Sequence, residues 1–126
     1  MKKKLRIAIV DESPEFLDLI MRLLGKEDYH LKPLTQHQGA YEQIKDIEPD
    51  IIICDVSLEG EAAHLTLMDM LYLDPQTRTI PLIVCAASTQ NMQQISPSLS
   101  AKGIELVEKP YTVEELVDVI QKCYPD

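Results

Sequence analysis

Tryptophan is missing from this chain, phenylalanine occurs once, and glycine only four times in 126 residues. With so little glycine, no strand-to-helix turn has the glycine-rich character of a phosphate-cradling loop, and Pro14 occupies the first such turn. Long apolar runs are missing too. No stretch is long enough to span a bilayer. Met1 to Arg6 leads into only a short apolar run before Asp11, so no signal peptide is read there. Basic residues are few, 12 against 21 acidic ones, giving a formal charge of −9. Phosphate contacts need concentrated Lys and Arg, and the one cluster, Lys2-Lys3-Lys4 with Arg6, reads as a solvated lead-in to a strand. Direct nucleic-acid binding and membrane association are therefore not expected. The three cysteines, Cys54, Cys85 and Cys123, have no paired spacing. An odd, unpaired set fits a reducing cytoplasm, with Cys54 and Cys85 acting as small buried hydrophobes inside apolar runs.

What remains is an ordinary globular composition, 45% apolar, without repeats or low-complexity segments. Residues 1–126 are expected to form a single domain, large enough to bury a core without disulfides or metals as staples.

The stretch that organises the chain is Asp50-Ile51-Ile52-Ile53-Cys54-Asp55, between Pro49 and the turn-like Ser57-Leu58-Glu59-Gly60. An unbroken run of β-formers has the composition of a strand covered on both faces. Leu5 to Val10 and Pro81 to Ala87 read the same way, and Ile104 to Val107 as a shorter strand. His30 to Leu34 is more polar and carries Pro33, which suits an edge strand.

Helical spacing fills the gaps. Ser13 caps a helix with Pro14 at its first position and Phe16, Leu17, Ile20, Leu23 and Leu24 on one face. Gly39 to Ile47 and Ala62 to Leu73 follow, stopped by Pro49 and by Asp74-Pro75. Ser88 to Lys102 is Gln-rich with Pro97 in a Ser-Pro-Ser sequence, so any helix there is irregular or short. Thr112 and Glu115 make a capping box for a last helix with Val113, Leu116, Val117, Ile120 and Cys123 on its apolar face. Strands alternating with helices predict an α/β fold: a five-stranded parallel sheet with helices on both faces.

Three strand ends then carry charge: Asp11-Glu12 after the first, Asp55 after the third, Lys109 after the fifth. Open α/β sheets keep their chemistry outside the carboxyl ends of the strands. Alone, Asp55 is a cap or turn residue, Asp11-Glu12 is helix N-terminal charge, and Lys109 is a solvated turn residue. Together, three carboxylates and a lysine are what a hard divalent ion and a transferring phosphoryl group require. None of His30, His37 and His64 sits at a carboxyl strand end, which disfavours a hydrolytic enzyme.

In order and spacing, Val10-Asp11-Glu12-Ser13-Pro14, the Asp50–Asp55 run and Glu108-Lys109-Pro110-Tyr111 resemble the receiver domain of two-component response regulators, the CheY-like superfamily, over essentially the whole chain. The resemblance implies a flavodoxin-like sheet of order 2-1-3-4-5. It makes Asp55 the phospho-acceptor, with Asp11, Glu12, Asp55 and the backbone carbonyl of Ser57 holding Mg²⁺, and Lys109 contacting the phosphoryl group. It also implies a histidine kinase or phosphotransfer protein as donor. A homodimer or output domain would use the surface made by the Ser88–Lys102 segment, the fifth strand and the last helix, and the chain could be the N-terminal part of a longer protein. Self-phosphorylation from a phosphodonor and slow autodephosphorylation are the enzymatic features such a domain has.

Two positions depart from the family pattern. Ala86 falls where a Thr or Ser hydroxyl is usual, unless Ser88 or Thr89 substitutes, and Leu106 replaces the switch aromatic. A methyl group cannot donate a hydrogen bond to a phosphoryl oxygen. Glu59 and Glu61 further add negative charge after Asp55. The leading expectation is a receiver that takes phosphate on Asp55 with Mg²⁺ and signals by an altered route. The alternatives are a docking module indifferent to phosphorylation and, more remotely, another small α/β ligand-binding domain.

Overall fold

The apolar runs form strands, and the stretches with helical spacing form helices. In chain order they are β1 (Arg6–Val10), α1 (Pro14–Gly25), β2 (His30–Leu34), α2 (Ala40–Ile47), β3 (Ile51–Val56), α3 (Glu61–Leu73), β4 (Leu82–Ala87), β5 (Glu105–Lys109) and α4 (Val113–Cys123). The computed structural model describes residues 4–11, 13–25, 29–36, 39–56, 61–87, 97, 99–109 and 111–123, without the side chains of residues 56, 61–66, 87 and 109.

The strands make one parallel sheet in the order β2-β1-β3-β4-β5, the order expected. β2 is an edge, and its Pro33 stands opposite Ile9. Proline cannot donate to a ladder, and an edge strand has only one neighbour to satisfy. β1 and β3 are locked at their start: Arg6 N–H donates to Asp50 Oδ2 and Asp50 N–H to the Arg6 carbonyl, each at 2.8 Å.

Side chains alternate along each strand, so the sheet has two apolar faces. Ile7, Ile9, Ile51, Ile53, Ile83, Cys85 and Val107 are buried with Leu17, Ile20 and Leu24 of α1 and Leu116 and Ile120 of α4. On the other face, Ala8, Val10, Ile52, Cys54, Leu82, Val84 and Ala86 are buried with Ala40 and Ile44 of α2 and Leu67, Met68 and Leu71 of α3. A sheet covered on both sides explains why its central strands carry unbroken apolar runs.

The helix starts follow the expected chemistry. Phe16 N–H donates to Ser13 Oγ at 3.3 Å, and Glu115 N–H to Thr112 Oγ1 at 3.1 Å. In the stretch between β4 and β5, residues 97 and 99–101 are helical among those described, so Pro97 is itself helical rather than a break. That turn closes through Gly103, whose φ of 78° is a left-handed conformation glycine accepts without strain, and Ile104 N–H donates back to the Leu99 carbonyl.

Candidate functional site

The register of β1 and β3 pairs Val10 with Cys54, so Asp11 and Asp55 are the next residues on two adjoining strands. Neighbouring strands lie about 4.8 Å apart, and this places the two carboxylates side by side at the carboxyl edge of the sheet. Both are buried, Asp11 to 2% exposure and Asp55 to 9%.

Asp11 is held by the chain around it. Its N–H donates to the Leu34 carbonyl at 3.0 Å, continuing the β1–β2 ladder, and its Oδ1 accepts from Ser13 N–H at 2.9 Å. The carboxylate thereby helps to open α1, the local role an Asp before a helix usually has. Asp11 Oδ2 and Asp55 Oδ1 are both shut off from solvent. Two carboxylates sharing a buried corner repel, and a cation between them offsets that cost. Oxygen-only donors of this kind suit a hard ion such as Mg²⁺, so the residues present fit the metal that the resemblance implies. Among the described residues no group of three or more His, Cys, Asp or Glu is placed to hold a metal. Glu12 and Ser57 lie outside the described residues.

Lys109 ends β5, its backbone opposite Ala87 of β4, on the same carboxyl edge and two strands away from β3. Asp11, Asp55 and Lys109 are thus all at one rim of the sheet. Ala86 is 1% exposed and belongs to the α2/α3 face, as part of the cluster holding Val84, Leu99 and Ile104. Leu106 is paired with Val84 and packs partly buried against the same cluster. Ser88 and Thr89 lie outside the described residues, as does His37. His30 is exposed on β2, far along the chain from either carboxylate.

Sequence reasoning missed the other side of the rim. Cys85 is in register with Asp55. Tyr111 packs against the α1/α4 face, its ring edge-on to Phe16 with centroids 6.3 Å apart and planes at 90°. Its phenol is held well above its ordinary value: burial is the largest cause, followed by the charge and hydrogen bond of Cys85, and then by the Asp55 and Asp11 carboxylates. Tyr111 is therefore a neighbour of the site on the face opposite Ala86 and Leu106. Strand register held the signal, because Asp55 and Cys85 stand opposite each other near the carboxyl ends of β3 and β4.

The model of the family described as response regulator receiver domain matches residues 7–121. Among curated proteins, the chain is 23% identical over 118 residues to chemotaxis protein CheY of Thermotoga maritima, covering 93% of this chain and 95% of that protein. It is 22% identical to the nitrogen assimilation regulatory protein NtrX of Azorhizobium caulinodans, of which it spans only 25%. Two solved structures share the fold: chemotaxis response regulator CheY4 of Vibrio cholerae, and the receiver domain of a signal transduction histidine kinase from Syntrophus aciditrophicus. The first has a TM-score of 0.80 at 16% identity, covering 96% of this chain and 99% of that one. The second has a TM-score of 0.79 at 23% identity, covering 94% and 89%.

Proposed function

The chain belongs to the response regulator receiver domain family, and we propose that in it Asp55 accepts a phosphoryl group from the phosphohistidine of a histidine kinase or phosphotransfer protein. The observation that carries this reading is the pair of buried carboxylates, Asp11 and Asp55, on adjoining strand ends at the carboxyl edge. One oxygen of Asp55 forms the new O–P bond as the P–N bond of the donor breaks and its imidazole leaves. Asp11, Glu12, Asp55 and the Ser57 carbonyl would hold Mg²⁺, which when bound offsets the negative charge gathered at the acceptor. Asp11 is fixed for that task by Ser13 N–H and by its own bond to Leu34. Lys109, which ends β5 on the same carboxyl edge, would be the cation that meets the phosphoryl oxygens.

Residues 1–126 would act as one receiver unit in the cytoplasm. No helix among the described residues is long and apolar enough to cross a membrane. Its partners would be the phosphodonor and a homodimer mate or output domain. Self-phosphorylation from a small phosphodonor and slow autodephosphorylation would be its chemistry. A second reading, a docking module indifferent to phosphorylation, is favoured by the methyl of Ala86 and the inward packing of Leu106.

Intact-mass measurement after acetyl phosphate and Mg²⁺ separates the two. One added phosphoryl group, abolished by Asp55→Asn, is the expected result. No gain at any donor concentration would overturn the acceptor reading in favour of the docking module.

A further inference from the structure

The usual means of reporting an acceptor's state are replaced here on one face of the sheet, while the opposite face carries a connected set. Cys85 stands beside Asp55 across the β3–β4 ladder. Tyr111 packs against the buried cluster that contains Cys85, and the thiol is among the groups that raise its phenol. The Tyr111 ring packs edge-on to Phe16. Phe16 lies in the first turn of α1, where its N–H donates to Ser13 Oγ, and Ser13 N–H in turn donates to Asp11. Tyr111 also immediately precedes Thr112, the residue that caps α4 through Glu115 N–H. Tyr111 therefore packs on the face that holds Cys85, meets the start of α1 through Phe16, and directly precedes the cap of α4 in the chain.

We propose that Tyr111 is a positioning residue through which charge placed on Asp55 is felt, by way of Cys85, at the α1/α4 face. The inference rests on the acceptor reading of Asp55 and adds to it the direction in which the change travels. The physical basis is the choice open to the hydroxyl. A thiol is a weak acceptor, whereas an O–H donated to an anionic oxygen makes a shorter bond about twice as strong as a neutral one. Phosphorylation raises the negative charge at Asp55. The phenol then turns from sulfur toward the new charge, and the ring carries Phe16 and the first turn of α4 with it. Ala86 and Leu106, on the other face, have no polar atom that could respond.

The test uses the whole chain with carbon-13-labelled aromatic rings and Ala and Leu methyl groups, beryllofluoride as the stand-in for the phosphoryl group, and Mg²⁺. Fluorine NMR reports whether beryllofluoride is bound, and Tyr111→Phe assigns the Tyr111 resonance. On binding, the Tyr111 and Phe16 ring signals should shift while the Ala86 and Leu106 methyl signals hold still. In Cys85→Ala the bound fluorine signal should persist, with the Tyr111 response largely lost, and Cys85→Ser, which keeps a hydrogen-bonding atom, should restore it. A bound fluorine signal with an unmoved Tyr111, or an undiminished response in Cys85→Ala, overturns this inference and leaves the acceptor reading standing. Absence of a bound fluorine signal overturns both.

Discussion

The Tyr41 hydroxyl donates to Oδ2 of Asp74, joining the first turn of α2 to the turn that follows α3. Lys45, one turn along α2 from Tyr41, reaches the same oxygen at 3.1 Å and lies over the Tyr41 ring. Asp74 Oδ1 accepts from Gln76 N–H at 2.9 Å, and Thr77 donates its hydroxyl to the Leu71 carbonyl at 2.6 Å. This polar clasp fixes the α2/α3 layer at the end of the sheet away from Asp55.

The clasp gives a pH prediction. The Tyr41 hydroxyl, Gln76 N–H and Lys45 together hold the Asp74 carboxyl down, from 3.8 to about 2. A group whose folded value is depressed stabilises the fold above its unfolded value and loses that effect as pH falls through the folded one. The stability difference between the wild type and Asp74→Asn should therefore be full above about pH 4 and shrink toward pH 2. Urea denaturation at a series of pH values measures it. A difference that stays constant across that window would show that Asp74 acts through its shape rather than its charge.

The α1/α4 face makes a prediction of a different kind. Leu116 is fully buried against the sheet. Leu116→Ala should cost about 2–5 kcal/mol, the range for a large-to-small change that leaves a cavity. Leu73, at the end of α3, is 73% exposed, and Leu73→Ala should stay within about 0.5 kcal/mol. Urea midpoints of the two variants check the contrast directly.

Glu48 is the one described non-glycine residue with positive φ, at 51°, where it caps α2 through its N–H to the Ile44 carbonyl at 3.0 Å. A left-handed conformation costs an L-residue about 1–2 kcal/mol, and glycine escapes that cost but loses about 0.5–1 kcal/mol in chain entropy. Glu48→Gly should raise stability by roughly 0.5 kcal/mol on these figures, seen as a higher thermal midpoint. Glu48→Val, which is β-branched, should lower it.

How much of this was legible in the sequence depends on whether the signal was local. The strands were, because Ile51, Ile52 and Ile53 or Ile7, Ala8 and Ile9 are apolar on both faces of a doubly covered sheet. The caps at Ser13 and Thr112 were too, because a cap is a few consecutive residues. Asp11 and Asp55 could be brought together from topology alone, since both end their runs. The Tyr41–Asp74 bond joins residues 33 positions apart, and Asp74 on its own reads as a helix stop. Cys85 looked like any small core hydrophobe, because what distinguishes it is its register beside Asp55. Such features are set by register and packing, which a linear reading reaches only after the sheet is assembled.

Ala86 makes the sharpest use of register. It is 1% exposed in a cluster with Val84, Leu99 and Ile104, so a larger side chain has to displace packed atoms. Ala86→Thr should therefore cost about 1–3 kcal/mol, as overpacked cores do. The new hydroxyl also needs a partner, or it adds a desolvation cost of its own. Among the described residues, the cluster around position 86 is made of apolar side chains. If the position is the one at which a receiver hydroxyl meets the phosphoryl group, beryllofluoride supplies that partner. The stability gap between wild type and Ala86→Thr should then narrow when beryllofluoride and Mg²⁺ are present, and widen again in Asp55→Asn backgrounds, where nothing is bound. Urea titrations of the four proteins with and without beryllofluoride measure each gap. An unchanged gap would mean that residue 86 faces only the core and that its hydroxyl, present or absent, has no part in reading Asp55.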